Sequence, residues 1–242
     1  MFTRAISSPD FAAWQPRVLS RDPWLVVFDE FMSAAEADEL VRIATRDGGR
    51  HFQGSQDVRV GGAFESSRRR TSSTQWCAAA GCANESVVAA VRERVERVTG
   101  VPQTNAEPPQ LLRYMPGEAY HLHHDYIADQ RQLPCGVRVY THFIYLSDVE
   151  GGGETHFPQL DIAVQPRKGR AVLWASTRSD APEEMDVRTL HRAAPVERGI
   201  KYSANVWVHT HDFMGAAARA CVGGNPAPPP SVGPADAEPA PR

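Results

Sequence analysis

The sequence predicts an α+β chain in which helices flank one β-sandwich or barrel. Two observations carry that reading. Helical periodicities are confined to the first hundred residues, and short apolar strands follow at regular spacing after Pro108-Pro109. A third bounds it: 242 residues, 42% of them hydrophobic and 23% charged, suffice for one sizeable core of ordinary soluble composition.

Residues 24–49 read as a strand entering a helix. Ser33 and Glu36 have capping-box spacing, and Leu40, Val41 and Ile43 supply apolar positions behind them. Residues 46–75 shift to Gly, Ser, Arg and Gln, with Gly48-Gly49 and Gly61-Gly62 as breakers, and predict a long loop or weak hairpin. Loops this long often cover or bind something; Arg68-Arg69-Arg70 within it reads equally as a solvated basic turn. Val87, Val88, Val91, Val95 and Val98 form one helical stripe, closed by Gly100-Val101-Pro102, and predict a helix that supports a sheet. Strands are then expected over 111–114, 120–126, 137–146, 162–164, 171–175, 190–193 and 202–209. Beyond Phe213 the chain turns Ala, Gly and Pro-rich, through Pro226-Ala227-Pro228-Pro229-Pro230, and reads as a disordered or extended tail. The expected organisation is an N-terminal extension over 1–23, a domain over 24–213 with its β core at about 108–213, and a tail over 214–242.

Formal net charge is −3 and the isoelectric point about 6.3, which argues against a nucleic-acid or membrane-surface partner. No apolar run approaches the roughly 20 residues of a membrane span, and no secretory address is visible. Cys77, Cys82, Cys135 and Cys221 lack zinc-site spacing and are expected as unpaired apolar residues; a local Cys77–Cys82 disulfide is the alternative. They leave the compartment open.

The informative stretch runs from Tyr114 to Asp125. On a strand, alternate side chains share a face, so His123 and Asp125 project together, as do His121 and His123, while His124 points the other way. His191, on a later strand, offers a third donor. Two histidines and one carboxylate can form the facial triad of non-haem iron(II) oxygenases, which leaves positions open for a cosubstrate and dioxygen. Lys201, Ser203, Asn205, Trp207 and His209 share one face of the last strand; a buried Lys there needs an anionic partner, which a metal-bound cosubstrate would supply. Thr141 and Tyr145 share a face of their own strand and could hydrogen-bond a carboxylate, though both also suit an ordinary core.

These residues resemble the prolyl 4-hydroxylase catalytic domain of the iron(II)/2-oxoglutarate dioxygenases. The matching pieces are Tyr114-x-x-Gly117-x-x-Tyr120-x-x-His123-x-Asp125, Arg138-x-x-Thr141-x-x-x-Tyr145, Gly151-Gly152-Gly153-Glu154-Thr155-His156-Phe157-Pro158, Leu190-His191 and Lys201, then Asn205-x-Trp207, in the family's order. The resemblance implies a double-stranded β-helix (jelly roll) with iron(II) held by His123, Asp125 and His191. It implies Lys201 as the cation for 2-oxoglutarate, helped by Thr141 and Tyr145, with Tyr114 beside metal and cosubstrate. Tyr120, Arg138, Trp207 and His209 match positions lining a peptide groove, with Arg70 and Ser72 on a covering loop. The implied reaction consumes dioxygen, hydroxylates peptidyl proline at C4 and releases succinate and carbon dioxide, with L-ascorbate rescuing oxidised iron. The substrate is then a proline-rich peptide, and the endoplasmic reticulum is implied by the family alone. The rival readings are the same chemistry on lysyl peptides or a small amino acid, or a jelly-roll binding module whose metal does not turn over. Departures from the family are the absence of a preceding peptide-binding domain and of clustered cysteines in the tail, and Ser147 where Asn is frequent. The oligomeric state is left open.

Overall fold

The computed structural model describes residues 1–58, 64–66, 69–78, 82–215 and 221. Arg68 and nearly all of the Pro-rich tail lie outside the described residues.

Among the described residues the chain runs α1 (Phe2–Ser7), β1 (Pro16–Arg21), β2 (Trp24–Phe28), α2 (Ala34–Thr45), β3 (Gln53–Gly54), β4 (Gln56–Val58), β5 (Phe64–Ser66), β6 (Ser73–Trp76) and α3 (Ser86–Thr99). The strand-rich part follows: β7 (Gln110–Tyr114), β8 (Tyr120–His123), β9 (Arg138–Tyr145), β10 (Gly151–Gly152), β11 (Thr155–Phe157), β12 (Ile162–Val164), β13 (Ala171–Ala175), β14 (His191–Ala193), β15 (Val196–Arg198) and β16 (Lys201–His209). Every strand pair is antiparallel.

A large sheet of order β1-β2-β13-β9-β16-β7-β6-β3 has a smaller one of order β12-β11-β14-β8 against it. The central strands β2, β13, β9, β16 and β7 are mostly buried on both faces, which is why they read as nearly continuous apolar runs. In β2, Leu25 and Val27 turn inward to join Phe143, Tyr145, Val172 and Trp174 with Phe157, Val164 and Ala193 of the small sheet. Val26 and Phe28 turn outward to join Ile144, Leu173, Ala204 and Val206 with residues of α2 and α3.

Local chemistry sets the start of α2 and the end of α3. The Ser33 hydroxyl accepts from the Glu36 backbone, and the Glu36 carboxylate accepts from the Ser33 N–H, completing the capping box. All five stripe valines of α3 are buried, each contributing roughly 1.5 kcal/mol of apolar burial. Gly100 closes α3 at φ 70°, a left-handed conformation that glycine adopts at little cost.

Three expectations need correction. Residues 1–23, expected as an extension, are built into the domain: β1 is the edge strand beside β2, and Phe2 stacks on Trp24 at 5.3 Å. An edge strand needs only partial burial, so Pro16–Arg21 carries too weak an alternation to announce itself. The cysteines are paired rather than free, Cys77 with Cys82 and Cys135 with Cys221; the second pair is 86 residues apart in sequence, so spacing could not suggest it. Finally, the strand expected over 120–126 stops at His123, and Asp125 sits in the bend beyond it.

Candidate metal centre

The small sheet brings the distant histidine home. β14 pairs with β8 so that His191 lies directly across from His123, and their rings stand 4.2 Å apart. Asp125, just past β8, completes the group. Its carboxylate oxygens lie 3.9 Å from His123 Nε2 and 3.7 Å from His191 Nε2. One donor atom from each of the three falls within 4.8 Å of the others, the separation expected of ligands sharing one ion.

Hydrogen bonds set each donor's state. His123 Nδ1 lies 2.8 Å from the His121 carbonyl, and His191 Nδ1 lies 3.0 Å from the Thr189 carbonyl. A carbonyl oxygen only accepts, so each Nδ1 carries the proton and each Nε2 lone pair is free for a metal. Burial, together with the neighbouring His191, holds the His123 imidazole well below its ordinary pKa and keeps it neutral. Burial alone would raise Asp125, but the two imidazoles and a 2.7 Å hydrogen bond from Thr141 outweigh it and hold the carboxyl at about 2. Two imidazole Nε2 donors and one carboxylate suit iron(II). His121 is exposed and contributes its carbonyl, so the alternative pair with His123 falls away. His124 is engaged by the Asp186 carbonyl and Thr189.

These donors stand in a cleft of about 840 Å³, lined by Arg70, Tyr114, Tyr120, Arg138, Phe143 and Trp207 among others. Behind Tyr114 and Phe143 sits Lys201, 0% exposed, its Nζ 4.9 and 5.1 Å from their ring centroids. The amine donates to the Gly153 carbonyl at 2.7 Å, and no carboxylate pairs with it among the described residues. Burial pulls its pKa down to about 7, with only a weak opposing pull from Glu154. A buried ammonium without a counter-charge is costly, so the site is suited to a carboxylate that arrives with a ligand. Gly152 shapes the approach: at φ 72°, a Cβ there would meet the Pro195 carbonyl oxygen at 2.2 Å, so only glycine lets β10 lie against β15 and aim Gly153 at Lys201.

Other expected residues are placed less simply. The Thr141 hydroxyl is spent on Asp125 rather than left for a cosubstrate, because its strand position lies opposite Trp174 over the metal donors. Tyr145 is fully buried, its hydroxyl 2.7 Å from Thr155 and donating to the Val164 carbonyl at 3.0 Å. Ser72 is buried against Ser55 and does not line the cleft. His209 also lies outside the cleft wall, 2.8 Å from Glu107, which in turn binds Arg138 at 2.5 Å. Arg138 and His209 outweigh the effect of burial on Glu107 and hold it at about 2. Arg70, Tyr120, Arg138 and Trp207 do line the cleft. Tyr120 stacks on His123 at 3.5 Å beneath the Arg70 guanidinium, and Arg138 lies 3.9 Å over Trp207.

Sequence reasoning missed Glu107, Gln110 and Trp174. Gln110 accepts from Arg70 at 2.8 Å, and Trp174 stands edge-on to His191 at 4.8 Å. None belongs to a spaced motif of ionisable residues. Only pairing across the sheet brings them to the site.

Residues 109–209 match the family model of the 2OG-Fe(II) oxygenase superfamily. Prolyl 4-hydroxylase 5 of Arabidopsis thaliana is 32% identical over 216 residues, covering 81% of this chain and 72% of the relative. The chain belongs to the prolyl 4-hydroxylase family. Within it, the chain is also similar to prolyl 4-hydroxylase subunit alpha-1 of Mus musculus, 33% identical over 192 residues, although it spans only 34% of that protein. Among solved structures it is similar to a viral collagen prolyl hydroxylase from Paramecium Bursaria Chlorella virus-1 in its 2OG complex. That likeness has a TM-score of 0.62 at 26% identity and covers 76% of this chain and 95% of the other. The protein is a 2-oxoglutarate-dependent dioxygenase that uses iron(II), 2-oxoglutarate and dioxygen.

Proposed function

We propose that this enzyme hydroxylates peptidyl proline at C4, on a jelly-roll core. The observation that carries the reading is the convergence of His123, Asp125 and His191 in an open cleft, with Lys201 buried behind its wall and no carboxylate paired with it among the described residues. When bound, iron(II) with 2-oxoglutarate and dioxygen supplies an oxidant strong enough to break an unactivated C–H bond, with succinate and carbon dioxide as coproducts. The chain's own residues hold and orient. His123, Asp125 and His191 would hold iron(II), with the cleft open beside them. Lys201 is the cation for the distal carboxylate of 2-oxoglutarate, and Tyr114 separates it from the metal donors.

The cleft takes an extended peptide. Trp76 lines it, and the Tyr120 and Trp207 rings are capped by the Arg70 and Arg138 guanidinium groups, a lining rich in aromatic residues as in grooves for proline-rich segments. Arg70 and Arg138, held by Gln110 and Glu107, present guanidinium groups to peptide carbonyls. The names of the relatives point to proline as the residue modified. L-Ascorbate is the reductant we assign for restoring iron(II). Two disulfides favour an oxidising compartment, with which the endoplasmic reticulum is consistent. No helix among the described residues is long and apolar enough to cross a membrane.

The test is a panel of poly-proline, collagen-like, Ser-Pro-rich and lysyl peptides, incubated with iron(II) and 2-oxoglutarate and read by mass spectrometry. The expected result is addition of one oxygen to proline, in step with succinate release. Oxygen found only on lysine, or succinate released without any peptide change, refutes the assignment.

A further inference from the structure

The cleft floor carries two amide side chains that neither the metal donors nor Lys201 engage. We infer that Asn205 and Gln110 together donate to a backbone carbonyl of the peptide substrate, an inference that rests on the proline-hydroxylation reading above. Strand register makes the two residues neighbours. Gln110 of β7 pairs with Asn205 of β16, Trp76 of β6 pairs with Gln110, and Phe143 of β9 pairs with Asn205. Residues paired across antiparallel strands share a face, with Cβ atoms about 4.5 to 5.5 Å apart. Trp76, Gln110, Asn205 and Phe143 therefore form one transverse row, and all four line the cleft.

Neighbouring rows fix where this one stands. Two residues further along β16, about 7 Å away, Trp207 lies across from Thr141, whose hydroxyl donates to Asp125. In the other direction along β16 comes Lys201, across from Tyr114. On that strand Asn205 thus lies between the buried amine and the row that reaches the metal donors.

Hydrogen bonding gives the pair its chemistry. Asn205 is 8% exposed, and its amide has no hydrogen-bond partner among the described residues. A buried amide without a partner is costly, so the site is suited to a group that arrives with a ligand. Gln110 is oriented by Arg70. A guanidinium only donates, so the Gln110 atom 2.8 Å from Arg70 is the carbonyl oxygen, and the amide nitrogen with its two N–H groups turns the other way. That nitrogen has no partner among the described residues either. Two N–H donors therefore stand side by side in the cleft floor.

The matching ligand is an acceptor without a charge. A prolyl residue has no backbone N–H, so a proline-rich stretch presents only carbonyl oxygens to the wall it lies on. The pair brings no positive charge for a carboxylate. Arg70, the guanidinium that touches Gln110, is shared with the Gln56 carbonyl and stands over Tyr120. Neutral donors converging on one carbonyl set the depth and register of the peptide over the metal donors without reading any side chain.

The test is a double-mutant cycle read by the KM for peptide, with oxygen on proline followed by mass spectrometry. One arm is Asn205→Leu, which keeps the volume and removes the hydrogen bonds. Asn205→Asp, of the same size, takes its place if the leucine variant fails to fold. The other arm is a set of proline-rich peptides in which one amide bond at a time near the target proline is replaced by an alkene isostere. Asn205→Leu should raise the KM for peptide about tenfold, as loss of one hydrogen bond does, and leave the KM for 2-oxoglutarate and the anaerobic iron(II) affinity within about twofold. One isostere should raise the KM of the parent enzyme about tenfold but that of the variant by at most about twofold, since the contact is already gone. An unchanged KM for peptide in the variant overturns the inference, as does an isostere cost equal in both enzymes. A rise confined to the KM for 2-oxoglutarate assigns the pair to the cosubstrate and overturns it too. A parent enzyme indifferent to every isostere overturns it without any variant. In each of these cases oxygen on proline leaves the proposed function standing; if the parent adds oxygen to no proline, both fall.

Discussion

Replacing Lys201 by methionine should make the ligand-free protein more stable while destroying its cosubstrate site. The amine is fully buried, and its pKa falls from 10.5 to about 7 because burial disfavours the charged form. At 1.36 kcal/mol per unit, carrying the charge into the fold costs on the order of 5 kcal/mol. Methionine fills a similar volume without a charge, but it leaves the Gly153 carbonyl without its donor, at a cost of about 1 to 3 kcal/mol. The net expectation at pH 6.5 is a gain of about 2 to 4 kcal/mol in urea unfolding. The sign of the pH dependence follows from a folded pKa lying below the unfolded one. The penalty is fully present below about pH 7 and is relieved as pH rises from about 7 toward 10.5. The advantage of Lys201→Met should therefore shrink by about 3 kcal/mol between pH 6.5 and 9.5. Calorimetry of 2-oxoglutarate binding to the metal-loaded variant should show a loss of about a hundredfold or more, because a charge-assisted contact is gone. A variant less stable than its parent at pH 6.5, or an advantage independent of pH, refutes the reasoning.

Thr141→Val removes the hydroxyl that orients Asp125 and should weaken iron(II) binding by about 10- to 100-fold, as read by anaerobic titration; unchanged affinity would mean the carboxylate is held without it. His191→Ala should abolish iron binding and turnover together, and an active, iron-loaded variant would overturn its role as ligand. His142 lies in the core beside Phe28 and Phe31, neither ring nitrogen has a partner, and burial lowers its pKa to about 3. Since the unfolded imidazole takes a proton at about 6.5, this group subtracts stability as pH falls from 6.5 toward 3, by about 2 kcal/mol at pH 5. His142→Phe should flatten that limb of the acid-unfolding curve; an identical acid limb in the variant argues against it.

Much of this was legible in the chain because local rules acted alone. The α2 capping box, the valine stripe of α3 and most strands of the β core are set by short-range spacing and by burial of alternate residues. The candidate metal donors were legible too, since His123, Asp125 and His191 stand, with Lys201, in an ordered series of motifs. Elements with weak or distant signals were not. β1 needs little apolar character at a sheet edge, and the partner of Cys135 lies 86 residues away. His209 shared its strand face with Trp207, yet register and depth turned it onto Glu107 instead of the cleft.

The sequence by itself determined which side chains could ligate a metal, which strands were apolar enough to be buried, and where α2 starts. Only the tertiary structure decided that His191 stands across from His123, that Thr141 serves Asp125, and that Lys201 is buried with no carboxylate partner among the described residues. Periodicity fixes the face on which a residue lies, whereas strand register and sheet-on-sheet packing fix what that face meets.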